Sequence, residues 1–509
     1  MGLSIRNDAG RLAACPGQWA RGEEPALSQV IPEADLVAVR PEADVAGARL
    51  TRGAVSWSIF EGARDPYVIL IIIYIFMPYV GSVMVGWPHS NPTKGQEVIS
   101  QWSQYSGWAT MATAPFLGAS IDQLGRRKGW LGLAVALMIP LMFGLWFAKA
   151  DGSGLPIVVV MLMTTVIGLL FSYTEVIHNS LLVRAAGMGA AHKASSLALA
   201  LGNAFALGLF AFLAWGFMLP GKTDWSWVPK QPLFGLSQAA HEPERLTGPL
   251  TAVLLLVGTI PIMLFTPDAA RSGVSIPRAF AAGARSLWRM IRTVGQFRDA
   301  AIFLVARSFY VDGMTAVLTF FGIYATGVMK WGALEMLVIG IILTVLAVIG
   351  GFLARVFDGV LGPRRAVQME ILMSLLGIIA LLGTAPDRIL FFWHYDPAAH
   401  APMWNGPFFR TLPEWIFTLI GFSNAVFITA HYASSRTLLT RLAPPDQTGA
   451  FFGAYAVSGT ATVWLAPMLV NIGTHVTGSQ QGGFAMITVL LAIGFIGLLF
   501  LRNGNRIGT

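Results

Sequence analysis

Twelve long, nearly uncharged apolar runs dominate this chain of 509 residues, at about 54–86, 102–121, 129–148, 155–181, 193–219, 248–265, 300–328, 332–357, 366–385, 412–438, 448–475 and 482–501. A helix needs roughly 20 such residues to cross the hydrocarbon core of a bilayer. Only helices and closed barrels can cross, because lipid offers nothing to satisfy a free backbone N–H or C=O. Barrel strands are short and alternate, so runs of this length exclude an outer-membrane barrel. The expected fold class is an all-α polytopic membrane protein with 12 transmembrane helices. Composition agrees. Only 12% of residues are charged, about half the soluble norm, and mean hydropathy is +0.63. A soluble enzyme, a coiled coil and a disordered scaffold are thereby excluded. The first run exceeds the core thickness, so it should tilt or kink, with Pro66 and Pro78 as the kink sites.

Residues 1–50 differ, with acidic, basic and proline residues and no long apolar run, and read as a flexible cytoplasmic tail. The single cysteine, Cys15, excludes an internal disulfide and a cysteine metal site. The net charge of +8 suggests loop cations rather than nucleic-acid binding. With both termini placed in the cytoplasm, inner loops and the C-terminus hold 18 Lys and Arg and outer loops hold 8. This is the positive-inside sense, expected for a bacterial inner membrane. Segment 266–299 divides the spans six and six. It interleaves Arg278, Arg285, Arg289 and Arg292 with Phe280, Leu287, Trp288 and Ile291, which predicts an amphipathic linker helix on the inner membrane surface. The expected organisation is a tail at 1–50, a six-helix bundle at 51–265, the linker at 266–299, a second bundle at 300–501, and a tail at 502–509.

The halves repeat. The second span ends in GASIDQLGRRKGW (118–130) and the eighth in ARVFDGVLGPRRA (354–366). Each places an acid at a helix end, then a Gly turn, then a cation cluster. FEG (60–62) returns as VDG (311–313), and Gly202 as Gly459. Three ordered matches at similar offsets indicate a duplicated six-helix unit. The loop cations can pair with the loop acid, with helix-end carbonyls or with lipid phosphates.

These loops resemble the signature loop of the major facilitator superfamily. Gly118, Asp122, Gly125, Arg126, Arg127 and Lys128 match it. The second copy, with Asp358, Gly362, Arg364 and Arg365, departs by Ala354 in place of the first Gly and by one inserted residue. Within the superfamily the chain resembles the vacuole-effluxer-like family, also called the unknown major facilitator family. The resembling segments are SWSIFEGARDPY (56–67), GRRKGWL (125–131), SFYVDG (308–313), RLAPPDQTGAFFGAYAVSGT (441–460) and HVTGSQ (475–480). The first motif departs at Gly62 and Arg64, where the family carries Trp and Asn. The resemblance implies two pseudo-symmetric six-helix bundles, with spans 1, 4, 7 and 10 lining a central cavity. It also implies a link to amino-acid efflux from the vacuole in eukaryotic members.

An ionisable residue within a span is costly and marks a functional candidate. Span 1 carries Glu61, Arg64 and Asp65, span 4 Glu175 and His178, span 7 Arg307 and Asp312, and span 10 Asn424 and His431. Glu61 and Asp65, four apart, share a helix face; Arg307 and Asp312, five apart, do not. The proton-coupling candidates are Glu61, Asp65, Asp312, Glu175 and His178. Arg64, Arg307 and His431 are the charge partners, any of which could pair with Asp312. Trp57, Tyr67, Tyr74, Tyr310, Tyr324 and Asn424 are the substrate-cavity candidates. Nine tryptophans near outer span ends, Trp331 among them, predict an interfacial belt.

No phosphate-binding GxxxxGK[ST] loop or hydrolase triad is present, so neither ATP nor catalysis is expected, and no cofactor or metal. The leading expectation is a monomeric secondary transporter of a small polar or amphipathic solute, amino-acid-like, coupled to protons. Two alternatives stay open. One is a sodium-coupled sugar or glycoside carrier. The other is a non-transporting assembly or receptor protein, in which apolar side chains would plug the cavity.

Overall fold

A computed structural model describes residues 49–502 except 269, 271, 445 and 446. The expected tails therefore lie almost wholly outside the described residues, as does the side chain of Asp122. Helices occupy all twelve expected spans. They are α1 (Arg52–Met84), α2 (Pro92–Leu124), α3 (Lys128–Phe147), α4 (Ile157–Gly187), α5 (Lys193–Met218) and α6 (Glu242–Phe265). After the linker helix α7 (Ile276–Gly295) come α8 (Arg298–Val328), α9 (Ala333–Leu361), α10 (Pro363–Leu382), α11 (Leu412–Leu442), α12 (Ala450–Thr477) and α13 (Gln480–Leu499). Among the described residues, 11 helices are long and apolar enough to cross a membrane. The twelfth, α2, is long enough at 33 residues but more polar. It begins ten residues before the expected start, capped by Asn91, whose Oδ1 accepts Lys94 N–H at 3.0 Å, with Pro92 in its first turn. A two-stranded hairpin, β1 (Arg388–Ile389) with β2 (Trp393–His394), lies in the loop before α11.

Packing follows two groups of six. In the first, α1 packs on α4, α5 and α6; in the second, α8 packs on α13, and α11 on α9 and α10. The prolines act where expected. After Pro66, which cannot donate to the carbonyl of Gly62, α1 relaxes into a π-helical stretch (Tyr67–Tyr74), and a second one (Val80–Met84) follows Pro78.

The repeated loops do the same work twice. Gly125 and Gly362 both adopt positive φ, +84° and +77°, which only glycine takes readily. Lys128 Nζ donates to Thr266 O at 2.8 Å, capping the carboxyl end of α6. Arg364 Nη2 donates to Leu499 O at 3.3 Å, at the end of α13. Each cation faces the negative end of a helix dipole. The Asp268 carboxylate additionally accepts Arg127 N–H at 2.9 Å, and the Arg127 guanidinium donates to Ser180 O. Arg126 and Arg365 are exposed.

The halves meet at the end opposite these loops. There Gln96 Nε2 donates to Thr474 Oγ1 at 2.7 Å, and Asn471 Nδ2 to Glu97 O at 2.9 Å. Gln480 Nε2 donates to both Pro92 O and Ile323 O. At the basic end α7 packs on both halves. Gly283 lies so close to the α2 backbone that a Cβ would come within 3.0 Å of Ala119 and Ser120. Phe297, just past α7, meets the Phe451 ring at 5.3 Å. Arg278, Arg285, Arg289 and Arg292 are exposed on α7, and so are Phe280, Trp288 and Ile291.

One belt residue is reassigned. Trp331 is 4% exposed, enclosed by Phe409 at 4.9 Å and Phe417 at 5.2 Å, because the 386–411 loop folds over it.

Candidate functional site

The charged residues of α1 and α4 form one cluster. Because Glu61, Arg64 and Asp65 occupy a single turn of α1, three carboxylates gather round one guanidinium. Arg64 Nη2 holds Glu61 Oε1 at 2.8 Å and Asp65 Oδ1 at 3.8 Å, while Nη1 reaches Glu175 Oε2 at 4.0 Å. Arg64 is buried, and the Glu175 side chain is 52% exposed, so the cluster opens on its α4 side. Gly202 of α5 provides the room for Asp65, since any side chain there would strike its carboxylate.

His178 fixes a proton. Its ring stacks on Trp57 with centroids 4.0 Å apart, and Trp57 Nε1 donates to His178 O at 2.8 Å. The ring Nε2 lies 2.9 Å from Trp57 O. A carbonyl only accepts, so Nε2 carries the hydrogen of that bond. Nδ1 then faces Glu61 Oε2 at 3.1 Å. That contact is attractive only with a proton in it, either on His178 as imidazolium or on Glu61 as the acid.

Arg307 and Asp312 do not pair with each other, and the expected pairing of Asp312 with Arg307, Arg64 or His431 is corrected. Among the described residues no cationic nitrogen lies within 4.0 Å of Asp312. Both residues instead hold α12, which is broken between its Thr448–Thr460 and Leu465–Thr477 segments. Pro467 explains the break, because it cannot donate to the carbonyl of Val463. Asp312 Oδ2 accepts Ala466 N–H at 2.8 Å at the amino end of the second segment. Arg307 Nη1 donates to Tyr455 O and Ser458 Oγ, both at 2.7 Å, towards the carboxyl end of the first, with its guanidinium 3.4 Å above the Tyr455 ring. Each charge thus meets the helix end of opposite polarity. Five-residue spacing is what sends them to different places. His431 is buried instead against the edge of Tyr310, with centroids 4.7 Å apart.

Two cavities flank the contact of α1 with α8. The wider, of about 230 Å³, is lined from α1, α2, α4, α8 and α12, and contains Tyr67, Trp102, Phe171, Asp312 and eight serine and threonine residues. The other, of about 170 Å³, contains Tyr74, Asn203, Asn424, Tyr432 and two threonines among apolar side chains. Phe171 joins the wider cavity to the acid cluster, because Arg64 sits 4.4 Å over its ring. Tyr67, Tyr74 and Asn424 therefore line cavities. Trp57, Tyr310 and Tyr324 line neither. Trp57 is the platform of His178, and Tyr324 is stacked between Phe417 and Phe484.

Sequence reasoning misses Glu370, fully buried in α10, where its carboxylate accepts Ser434 Oγ–H at 2.9 Å. Its signal is plain afterwards: an acid four residues into an expected span.

Comparison with known proteins agrees with this architecture. Residues 236–506 match the family described as "Vacuole effluxer Atg22 like". The curated relatives include "Autophagy-related protein 22-1" of Aspergillus clavatus, 24% identical over 222 residues, 44% of this chain and 34% of that protein. The chain thus matches only about a third of the length of such fungal relatives. The "Uncharacterized MFS-type transporter YxiO" of Bacillus subtilis is 22% identical over 459 residues, covering 89% of this chain and 95% of that one. Among solved structures, the nucleoside transporter NupG superposes with a TM-score of 0.56 at 10% identity, over 89% of this chain and 100% of its own. The xylose transporter XylE from E. coli gives 0.57 at 12%, over 89% and 95%. The polytopic helical architecture is that of the major facilitator fold, and the chain belongs to the Vacuole effluxer Atg22 like family.

Proposed function

We propose that this protein is a secondary transporter that moves a small polar or amphipathic solute, amino-acid-like, by alternating access and coupled to the proton gradient. The reading rests above all on the Glu61–His178 contact, which needs a proton to be attractive and lies two contacts from the wider cavity, through Arg64 and Phe171. Three carboxylates share one arginine there. Protonating one redistributes Arg64 among the others and changes how α1 and α4 hold each other, which biases the opening. Asp65 and Glu175, the more loosely held acids, complete the proton path. The hydrogen-bonded closure between α2, α12 and α13 supports the basic end as the open side, and the cation distribution supports that end as cytoplasmic, in a bacterial inner membrane. Both cavities favour transport over a purely structural role. The description of the matching family, "Vacuole effluxer Atg22 like", and the name of the Bacillus protein support solute movement.

The test is flux in proteoliposomes with amino acids, dipeptides and sugars, with and without a pH gradient or sodium. Gradient-driven accumulation by the wild-type protein, lost in His178→Gln and Glu61→Gln while solute exchange persists, is expected. Uphill transport at the wild-type rate by both variants would remove the proton role from this pair. A requirement for sodium alone would favour the sodium-coupled alternative.

A further inference from the structure

The wider cavity holds a single charged side chain, Asp312, and the other cavity holds none. Asp312 is 5% exposed, and only one of its two carboxylate oxygens is used, by Ala466 N–H. A buried carboxylate with one neutral donor is costly unless a cation pairs with it or it takes up a proton. Among the described residues the protein supplies no such cation. Arg307 is taken by Tyr455 and Ser458, and Arg64 by Glu61. The same cavity is lined by the aromatic side chains of Tyr67, Trp102 and Phe171. Aromatic side chains suit an apolar body and attract a neighbouring cation. The remaining polar side-chain groups are neutral hydroxyls and the Trp102 indole N–H, and among the described residues no arginine, lysine or histidine lines the space.

We infer that the missing cation is the solute's own: the cavity takes a small solute whose ammonium group pairs with Asp312 and whose apolar, aromatic-sized body lies among Tyr67, Trp102 and Phe171. This rests on the transport reading and deepens it by assigning the recognised group. It also orders related compounds. An amine needs no partner beyond Asp312. The corresponding amino acid binds through its ammonium but leaves its carboxylate to hydroxyls. The corresponding acid meets a like charge and no cation, and is refused.

The experiment is calorimetric titration of the purified full-length protein with 2-phenylethylamine, phenylalanine and 3-phenylpropionate, which share a body and differ in charge. The expected affinity order is amine, then amino acid, with the acid weaker than the amine by at least about tenfold. Asp312→Asn, which keeps an acceptor for Ala466 N–H, should weaken amine binding at least about tenfold. Asp312→Glu should preserve the order. The wild-type ranking needs no variant, so poor folding of Asp312→Asn does not remove the test. Equal binding of acid and amine, no binding of the amine, or unchanged amine affinity in folded Asp312→Asn each overturns the inference. Proteoliposome flux separates the two readings. Flux of other solutes without amine binding overturns the inference and leaves transport standing; Asp312-dependent amine binding with no flux of any solute does the reverse.

Discussion

Arg64 carries more of the site than any other side chain, because its guanidinium lies within 4.0 Å of the carboxylates of Glu61, Asp65 and Glu175. Removing it leaves Asp65 and Glu61 without their arginine in a largely buried setting, which costs about 3 kcal/mol. Arg64→Ala should therefore lower the thermal unfolding temperature in detergent. The double variant Arg64→Ala/Glu61→Gln should recover part of the loss, the signature of coupled residues; strict additivity would mean that the pair is not coupled. Gly202 acts through space alone. Gly202→Val pushes a side chain into the Asp65 carboxylate and should displace it from Arg64, reducing gradient-driven flux far more than Gly208→Ala, where nothing lies within 4 Å of the added carbon.

At the scale of elements, the broken α12 and the linker helix stand out. The second α12 segment starts under the Asp312 carboxylate and the first ends towards the Arg307 guanidinium, so α8 holds both sides of the break. Losing a helix amino-end acceptor costs about 1 kcal/mol. Asp312→Ala should accordingly speed amide hydrogen exchange at Ala466, whereas Asp312→Asn should leave it nearly protected. Equal protection in wild type and Asp312→Ala would show that the carboxylate does not cap the segment. The linker helix α7 is held by the close approach of Gly283 to Ala119 and Ser120. Gly283→Leu cannot be accommodated there, since backbone atoms do not yield as a flexible side chain does. Limited proteolysis between residues 276 and 295 should become faster, with the twelve-helix core left intact.

For the whole molecule the asymmetry between its two ends matters most. Glu97 and His475, from opposite halves, approach to 3.6 Å at the closed end. In a Cys15→Ser background, Glu97→Cys/His475→Cys bridged by a short bifunctional thiol reagent should stop flux, and reductant should restore it. Full activity of the bridged protein would mean that this end need not open. Single cysteines at Lys94 and Lys128 give the orientation: the first should react with an impermeant reagent on intact cells and the second only after permeabilisation.

The amino-acid sequence alone determined the fold class and the position of nearly every span. The reason is that a chain in lipid must satisfy its backbone within each segment, so apolar length translates directly into helices. The twofold plan was also legible, through the two glycine-and-cation loops, because a tight turn at a helix end has few chemical solutions. Ionisable residues within spans were legible as candidates for the same energetic reason, and Arg307 and Asp312 were legible as residues on different faces. Their partners were not. That Asp312 caps α12, that His178 faces Glu61, and that Glu370 binds Ser434 depend on contacts between residues 64 to 154 positions apart. The early start of α2 was hidden likewise, because its polar first turns are satisfied by α12 and α13 rather than by their own neighbours. Tertiary structure alone decided which buried charges found partners within the protein and which one, Asp312, was left facing a cavity.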